Sequence, residues 1–115
     1  MIKVRKEGEE VIVSLFQINK LNTLFIDHVE EGLRNLFRND RVRVFFDLSN
    51  VKFIDSSGFQ MLHRISEFAE KSGSEFILCN ITDEVEELVN LMNIGDRLRF
   101  EHRDLRSEPI LLEVE

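Results

Sequence analysis

The chain has 115 residues, of which 43% are hydrophobic and 32% charged. That is one domain's worth, with enough apolar content to exclude a disordered or fibrous chain. Fifteen basic residues against 22 acidic ones give a formal charge of -7, which argues against nucleic acid or an anionic membrane as the main partner.

The first residues, MIKVRKEGEEVIV, carry acids and a strand-like pattern. They do not read as a signal peptide, and the protein is expected to be cytoplasmic. No apolar run is long enough for a spanning helix. A short strand is expected over Ile2 to Arg5. A turn at Glu7-Gly8-Glu9-Glu10 leads to a β-branched strand from Val11 to Phe16. A helix follows from Asn22 or Thr23 to Phe37, both of these being good caps. Phe25, Val29, Leu33, Leu36 and Phe37 recur at spacings of three and four along it.

Val42 to Phe46 is a nearly continuous apolar run, closed by Asp47. It suits a strand buried on both faces. A second helix is expected after Gly58. Its apolar face comprises Phe59, Met61, Leu62, Ile65, Phe68 and Ala69; Gln60, His63, Arg64, Glu67 and Lys71 form its wet side, and Gly73 stops it. Phe76 to Cys79 reads as a strand. Thr82 or Asp83 caps a third helix, with Glu86 placed as a capping-box partner of Asp83. Val85, Leu88, Val89 and Met92 mark its inner face, Gly95 its end, and Leu98 to Glu101 a last strand. The tail, residues 104–115, stays open: Ser107 before Pro109 suits a short helix, and ILLEV suits an extended segment.

The order is β-β-α-β-α-β-α-β. Strands alternating with helices imply crossover units, so the fold class is α/β: one domain over residues 1–115, with helices packed on a mixed sheet of four to five strands. Val44, Phe46, Leu62, Ile65, Ile77 and Leu88 are expected in its core.

The candidate chemistry is sparse. His28, His63 and His102 lack zinc-helix spacing, and Cys79 has no CxxC partner. The histidines read as solvated surface groups and Cys79 as a small buried hydrophobe, with an internal disulfide framework excluded and a reducing compartment implied. The distinctive element is Asp55-Ser56-Ser57-Gly58. A nucleophile elbow fails, because Ile54 stands where G-x-S-x-G needs its first glycine. A phosphate cradle is weak, with one glycine and no GK[ST]. A helix cap is the plain reading. A serine phosphoacceptor is compatible with it, since an attached phosphate would meet free N–H groups and the positive end of the helix dipole.

DLSNVKFIDSSG, Asp47 to Gly58, resembles the central signature of STAS domains, in particular bacterial anti-sigma factor antagonists. The resemblance runs over roughly Val11 to Arg103 and includes EFILC and EELVNLMNIGDRLRF. It implies a partner switch. The unphosphorylated antagonist binds an anti-sigma factor that is also a serine kinase, and thereby frees a sigma factor for transcription. Phosphorylation of Ser57, the serine directly before the glycine, releases it, and a serine phosphatase resets it. Asp55, Ser56, Gly58, Phe59 and Gln60 then flank the acceptor at the partner surface. The implied protein is no enzyme; it needs no cofactor or metal and is a monomer when free.

The sequence departs from the family pattern in two places. Gln17-Ile18-Asn19-Lys20 stands where the family often has G-x-L-D. Phe59-Gln60 replaces Leu-Gly: an exposed Phe59 would enlarge an apolar partner patch, a buried one would join the core. Two other readings stand beside the switch. STAS domains also serve as cytoplasmic accessory subunits of lipid- or anion-transport complexes, a role that does not depend on a phosphorylatable serine. A small hydrolase or nucleotide-binding enzyme lacks any catalytic constellation here.

Overall fold

In the computed structural model, residues 2–38 and 41–103 are described in full and 112–114 as backbone strand. The elements are β1 (Ile2–Glu7), β2 (Glu10–Leu15), β3 (Lys20–Leu21), α1 (Ile26–Leu36), β4 (Arg43–Asp47), β5 (Phe53–Ile54), α2 (Ser56–Lys71), β6 (Glu75–Cys79), α3 (Asp83–Met92), a 3-10 turn (Gly95–Arg97), β7 (Phe100–Glu101) and β8 (Leu112–Val114). Five strands form the expected mixed sheet in the order β7-β6-β4-β2-β1, and β8 joins the free edge of β1 as a sixth. The β1–β2 hairpin is antiparallel, with Gly8 at φ 65 in its turn. β2, β4, β6 and β7 run parallel, as crossover connections through helices require. The extended reading of the tail holds for 112–114; the alternative helix at Ser107 and Pro109 lies outside the described residues.

The period-two pattern sorts the strand residues onto two faces. Val11, Val13 and Leu15, Val44 and Phe46, and Phe76 and Leu78 join all three helices in one large core. Ile12, Phe45, Ile77 and Cys79 form a second, smaller cluster between them on the opposite face. There the guanidinium groups of Arg103 and Arg43 lie 4.2 and 5.2 Å from the centre of the Phe45 ring. Val44, Phe45 and Phe46 are at most 1% exposed, so the central strand is buried on both sides, as its apolar run implied. Of the six core residues expected, Val44, Phe46, Leu62, Ile65 and Ile77 are fully buried, while Leu88 is half-buried at the edge.

Three helix boundaries differ from the sequence reading. Neither Asn22 nor Thr23 caps α1. Asn22 instead accepts the Leu24 N–H at 3.1 Å in a local turn, and the helix begins at Ile26 with no side-chain cap. α2 begins at Ser56, ahead of Gly58. α3 ends at Met92, where Asn93 takes the left-handed conformation (φ 55, ψ 45) expected of the glycine; Asn tolerates that region through its short polar side chain. Gly95 opens the 3-10 turn, and Met92 faces outward, 39% exposed.

Two short strands build a ledge at the carboxyl ends of the parallel strands. β3 and β5 pair in parallel, Lys20 with Phe53 and Leu21 with Ile54. Lys52 N donates to Asn19 O and Asp55 N to Leu21 O. Thr82 Oγ1 donates to Val51 O at 2.9 Å, tying α3 to the same ledge. The N-terminus of α2 therefore rises from the side of the sheet where open α/β folds place their sites.

Candidate functional site

The Asp55-Ser56-Ser57-Gly58 element forms the first turn of α2, and Asp55 is its N-cap. Asp55 Oδ1 accepts the Gly58 N–H at 2.8 Å, the usual capping bond to the third helical residue. The same oxygen accepts the Ser57 hydroxyl at 2.7 Å. Desolvation raises the Asp55 pKa, but the Ser57 hydroxyl and the N–H groups of Gly58, Thr23 and Ser57 outweigh it and hold the carboxyl below its ordinary range. The cap is thus an ionised carboxylate with its acceptor capacity directed at one serine and one helix end.

The two serines face different surroundings. Ser57 is half-buried, and its Oγ lies 3.3 Å from Thr23 Oγ1 as well as against Asp55. Ser56 is exposed and borders a cleft between α2 and the end of α3. The N–H groups expected to receive a phosphate are already engaged by Asp55, so a phosphate on Ser57 would meet the capping carboxylate first. Gly58 is required by space. A Cβ there would stand 2.6 Å from Leu21 O and 2.7 Å from Ile54 Cγ2, so this glycine lets α2 press onto the β3–β5 ledge. Phe59 is buried and belongs to the core, which resolves its open reading; Gln60 is exposed.

Around Ser57 lie side chains that the sequence reading had not assigned to the site. Leu24 is 82% exposed, directly after Thr23, and Phe53 is 44% exposed on the ledge beside Lys20. One signal was legible. Leu24 is out of phase with Phe25, Val29 and Leu33, so a helical period never explained it. Phe53 gave no such signal, because a two-residue strand has no measurable period.

Other sequence candidates fall elsewhere. His28 and His102 are exposed, and His63 is half-buried against the cleft. Cys79 is buried; burial, with Glu101 and Asp47 nearby, pushes its thiol up to about 12 against the pull of Arg103. It stays protonated and inert near neutral pH. Among the described residues no group of His, Cys, Asp and Glu has the makings of a metal site, and no helix is long and apolar enough to cross a membrane.

The geometry has counterparts among solved structures. An anti-sigma-factor antagonist (STAS) domain protein from Planctomyces limnophilus is 17% identical, with a TM-score of 0.77 over 92% of each chain. The anti-sigma factor antagonist SpoIIAA in its unphosphorylated form is 16% identical, with a TM-score of 0.73 over 93% of this chain and 91% of that one. The murine anion transporter Slc26a9 contains a similar fold, 18% identical with a TM-score of 0.68 over 84% of this chain but 16% of its own. At these identities the likeness is one of fold. None of the curated proteins compared with the chain matches it. A family model described as STAS domain matches residues 3–104, which takes in the strands of the sheet other than β8, all three helices and the Asp55–Gly58 turn, and the chain belongs to the STAS domain family.

Proposed function

We propose that the chain is an anti-sigma factor antagonist whose contact surface is centred on Ser57 and is switched by phosphorylation of that residue. The supporting observation is the hydroxyl of Ser57, fixed at 2.7 Å by the Asp55 cap, with Leu24 and Phe53 exposed beside it. The partner is an anti-sigma factor with serine kinase activity, a serine phosphatase reverses the mark, and the setting is cytoplasmic. The chain is substrate and ligand in this reading, not an enzyme. The Ser57 hydroxyl has carboxylate and hydroxyl partners, and among the described residues no histidine is hydrogen-bonded to it.

The electrostatics favour a gate over a refolding switch. Phosphate adds about -1.5 to -2 charges beside a carboxylate already held ionised. It removes the proton that Ser57 donates to Asp55, so both the cap and the phosphate turn toward whatever docks there. A dianion desolvated in an interface without a matching cation costs several kcal/mol, and 3 kcal/mol weakens binding by about two orders of magnitude. Incubation with an anti-sigma factor kinase of the same organism and ATP, followed by mass spectrometry, should place phosphate on Ser57 and on no other serine. Labelling of Ser57→Ala on Ser56 at the wild-type rate would overturn the assignment.

The fold shared with the Slc26a9 anion transporter supports a second reading, an accessory subunit of a transport complex. That role leaves the Ser57 hydroxyl without a purpose, which is why the switch is preferred. Interaction with a permease that persists unchanged in Ser57→Ala and Ser57→Asp would favour the second reading.

A further inference from the structure

We infer that the cleft between α2 and the α3–3-10 segment is a binding site for a small amphipathic anion: an apolar body with one carboxylate or phosphate head. The cleft has a volume of about 350 Å³, within the range of small-molecule sites. Its apolar lining comes from Phe59, Ile94 and Leu98, with Met92 at 39% exposure beside them. Its basic lining consists of Arg64 and Arg97 with the imidazole of His63, and among the described residues no acidic one lines it. That is unusual for a chain with 22 acids and a charge of -7.

The three basic groups are not equivalent. Arg64 is committed to Glu30, donating from Nε at 3.0 Å and from Nη2 at 2.8 Å. Arg97 is exposed, and its side chain makes no hydrogen bond or ion pair among the described residues, although a neighbouring hollow that it also lines contains Glu70 and Asp96. Most arginines here hold a partner: Arg34 pairs with Glu30, Arg43 and Arg99 with Glu75, and Arg103 with Glu10. An unpaired guanidinium beside an apolar floor offers a fork for a planar or tetrahedral anion. The floor supplies the area term that a bare anion would not collect. Ser56 and Gln60 complete the lining, offering a hydroxyl and an amide to an anionic head.

The cleft adjoins the surface around Ser57: Ser56 and Gln60 line it, while Ser57 Oγ is engaged by Asp55 and Thr23 and does not line it. The occupant is taken as a small molecule because the cleft is of ligand size and its charge pattern is complementary to a single anionic head. A partner segment or a second copy of the chain would be distinguished in the same experiment.

The full chain would be titrated with octanoate, followed by amide chemical shifts and by calorimetry. Octyl phosphate, acetate and octanol serve as comparison probes, and light scattering monitors association. Saturable one-to-one binding of octanoate or octyl phosphate is expected, with shifts at Gln60, His63, Ile94 and Leu98. Acetate and octanol should each bind at least tenfold more weakly. Arg97→Gln should weaken octanoate at least tenfold, Arg97→Lys should restore part of the loss, and Arg38→Gln, at an exposed arginine after α1, should change nothing. All three variants should keep the wild-type melt. The inference is overturned by unsaturable or scattered shifts, by equal affinity in Arg97→Gln, or by octanol binding as well as octanoate. Cleft shifts that follow protein concentration alone would assign it to a second copy and equally overturn it. Every titration uses the unphosphorylated chain, so its outcome is independent of whether Ser57 is a phosphoacceptor.

Discussion

The N-termini of α2 and α3 solve one problem with different residues. Each is capped by a side-chain oxygen accepting the N–H of the third helical residue: Asp55 from Gly58 at 2.8 Å, and Thr82 from Val85 at 3.2 Å. α3 then places Asp83, Glu84 and Glu86 in its first turn, while the first turn of α2 contains no acid. Acids there favour the helix through its dipole, whereas Ser-Ser-Gly is a poor way to start one. α2 is nonetheless the longest helix, because Met61, Leu62, Ile65 and Ala69 bury against the sheet. The contrast teaches that α3 begins for stability. α2 begins for presentation, and leaves its stability to the core behind it.

The sharpest way to break this contrast is Gly58→Ala. In an ordinary helix the change would help, but here the new Cβ meets Leu21 O at 2.6 Å, a backbone atom that cannot turn away. A loss of about 2–3 kcal/mol, in the range of overpacking, is expected in urea unfolding. At Gly95 the nearest atom would be Val89 Cγ1 at 3.8 Å, so the same change there should alter stability by less than about 0.5 kcal/mol. Equal effects at both glycines would remove the close approach of α2 to the ledge as an explanation.

The functional half of the comparison rests on Ser57→Asp. It should melt within a few degrees of wild type, yet bind the kinase partner at least tenfold more weakly, equivalent to about 1.4 kcal/mol. Calorimetric titration beside thermal melts measures both. Loss of the folded circular dichroism spectrum would point to a conformational switch instead of a charge gate.

Thr82→Ala tests the helix built for stability. It removes the Val85 cap and the bond to Val51 O, and should lower stability by about 1 kcal/mol with partner affinity unchanged. A drop in affinity would mean that the ledge transmits strain from α3 to the Ser57 side.

The smallest expected effect is in acid. Asp55 has its folded pKa depressed by the Ser57 hydroxyl and neighbouring N–H groups, against desolvation. Its contribution is therefore complete above the ordinary aspartate value of about 3.9 and declines as pH falls below that toward the lower folded value. Asp55→Asn keeps the shape and loses this dependence, so its stability curve should run parallel to wild type above pH 5 and converge with it in acid. Curves that stay parallel throughout would show that the carboxylate is not held by these bonds.

Much of the molecule was legible because the physics involved is periodic. The β-branched, apolar stretch Val11–Phe16 and the apolar run around Phe45 identified central strands, and spacings of three and four identified helices. The Asp55–Gly58 turn was legible as a helix start because Asp and Ser accept the free N–H groups there. The β3–β5 ledge escaped, since its pairing is decided by Leu21 and Ile54 meeting across 33 positions of sequence. The start of α1 was misplaced because Asn22 has two local uses, cap and turn, and only tertiary context selects between them. The helical phase of Met92 predicts an inward side chain; the left-handed turn at Asn93 ends the helix there, and Met92 lies at the edge of the cleft, 39% exposed.

The buried thiol gives the molecule a built-in clock. Cys79 sits at the end of a central strand, sheltered and protonated, so a thiol reagent reaches it only when β6 opens. Its labelling rate in native buffer therefore reports how often that strand comes apart. Followed with the partner bound, with Ser57 modified, or with an anion in the cleft, a single unmodified cysteine would register whether events at the top of α2 are felt in the middle of the sheet.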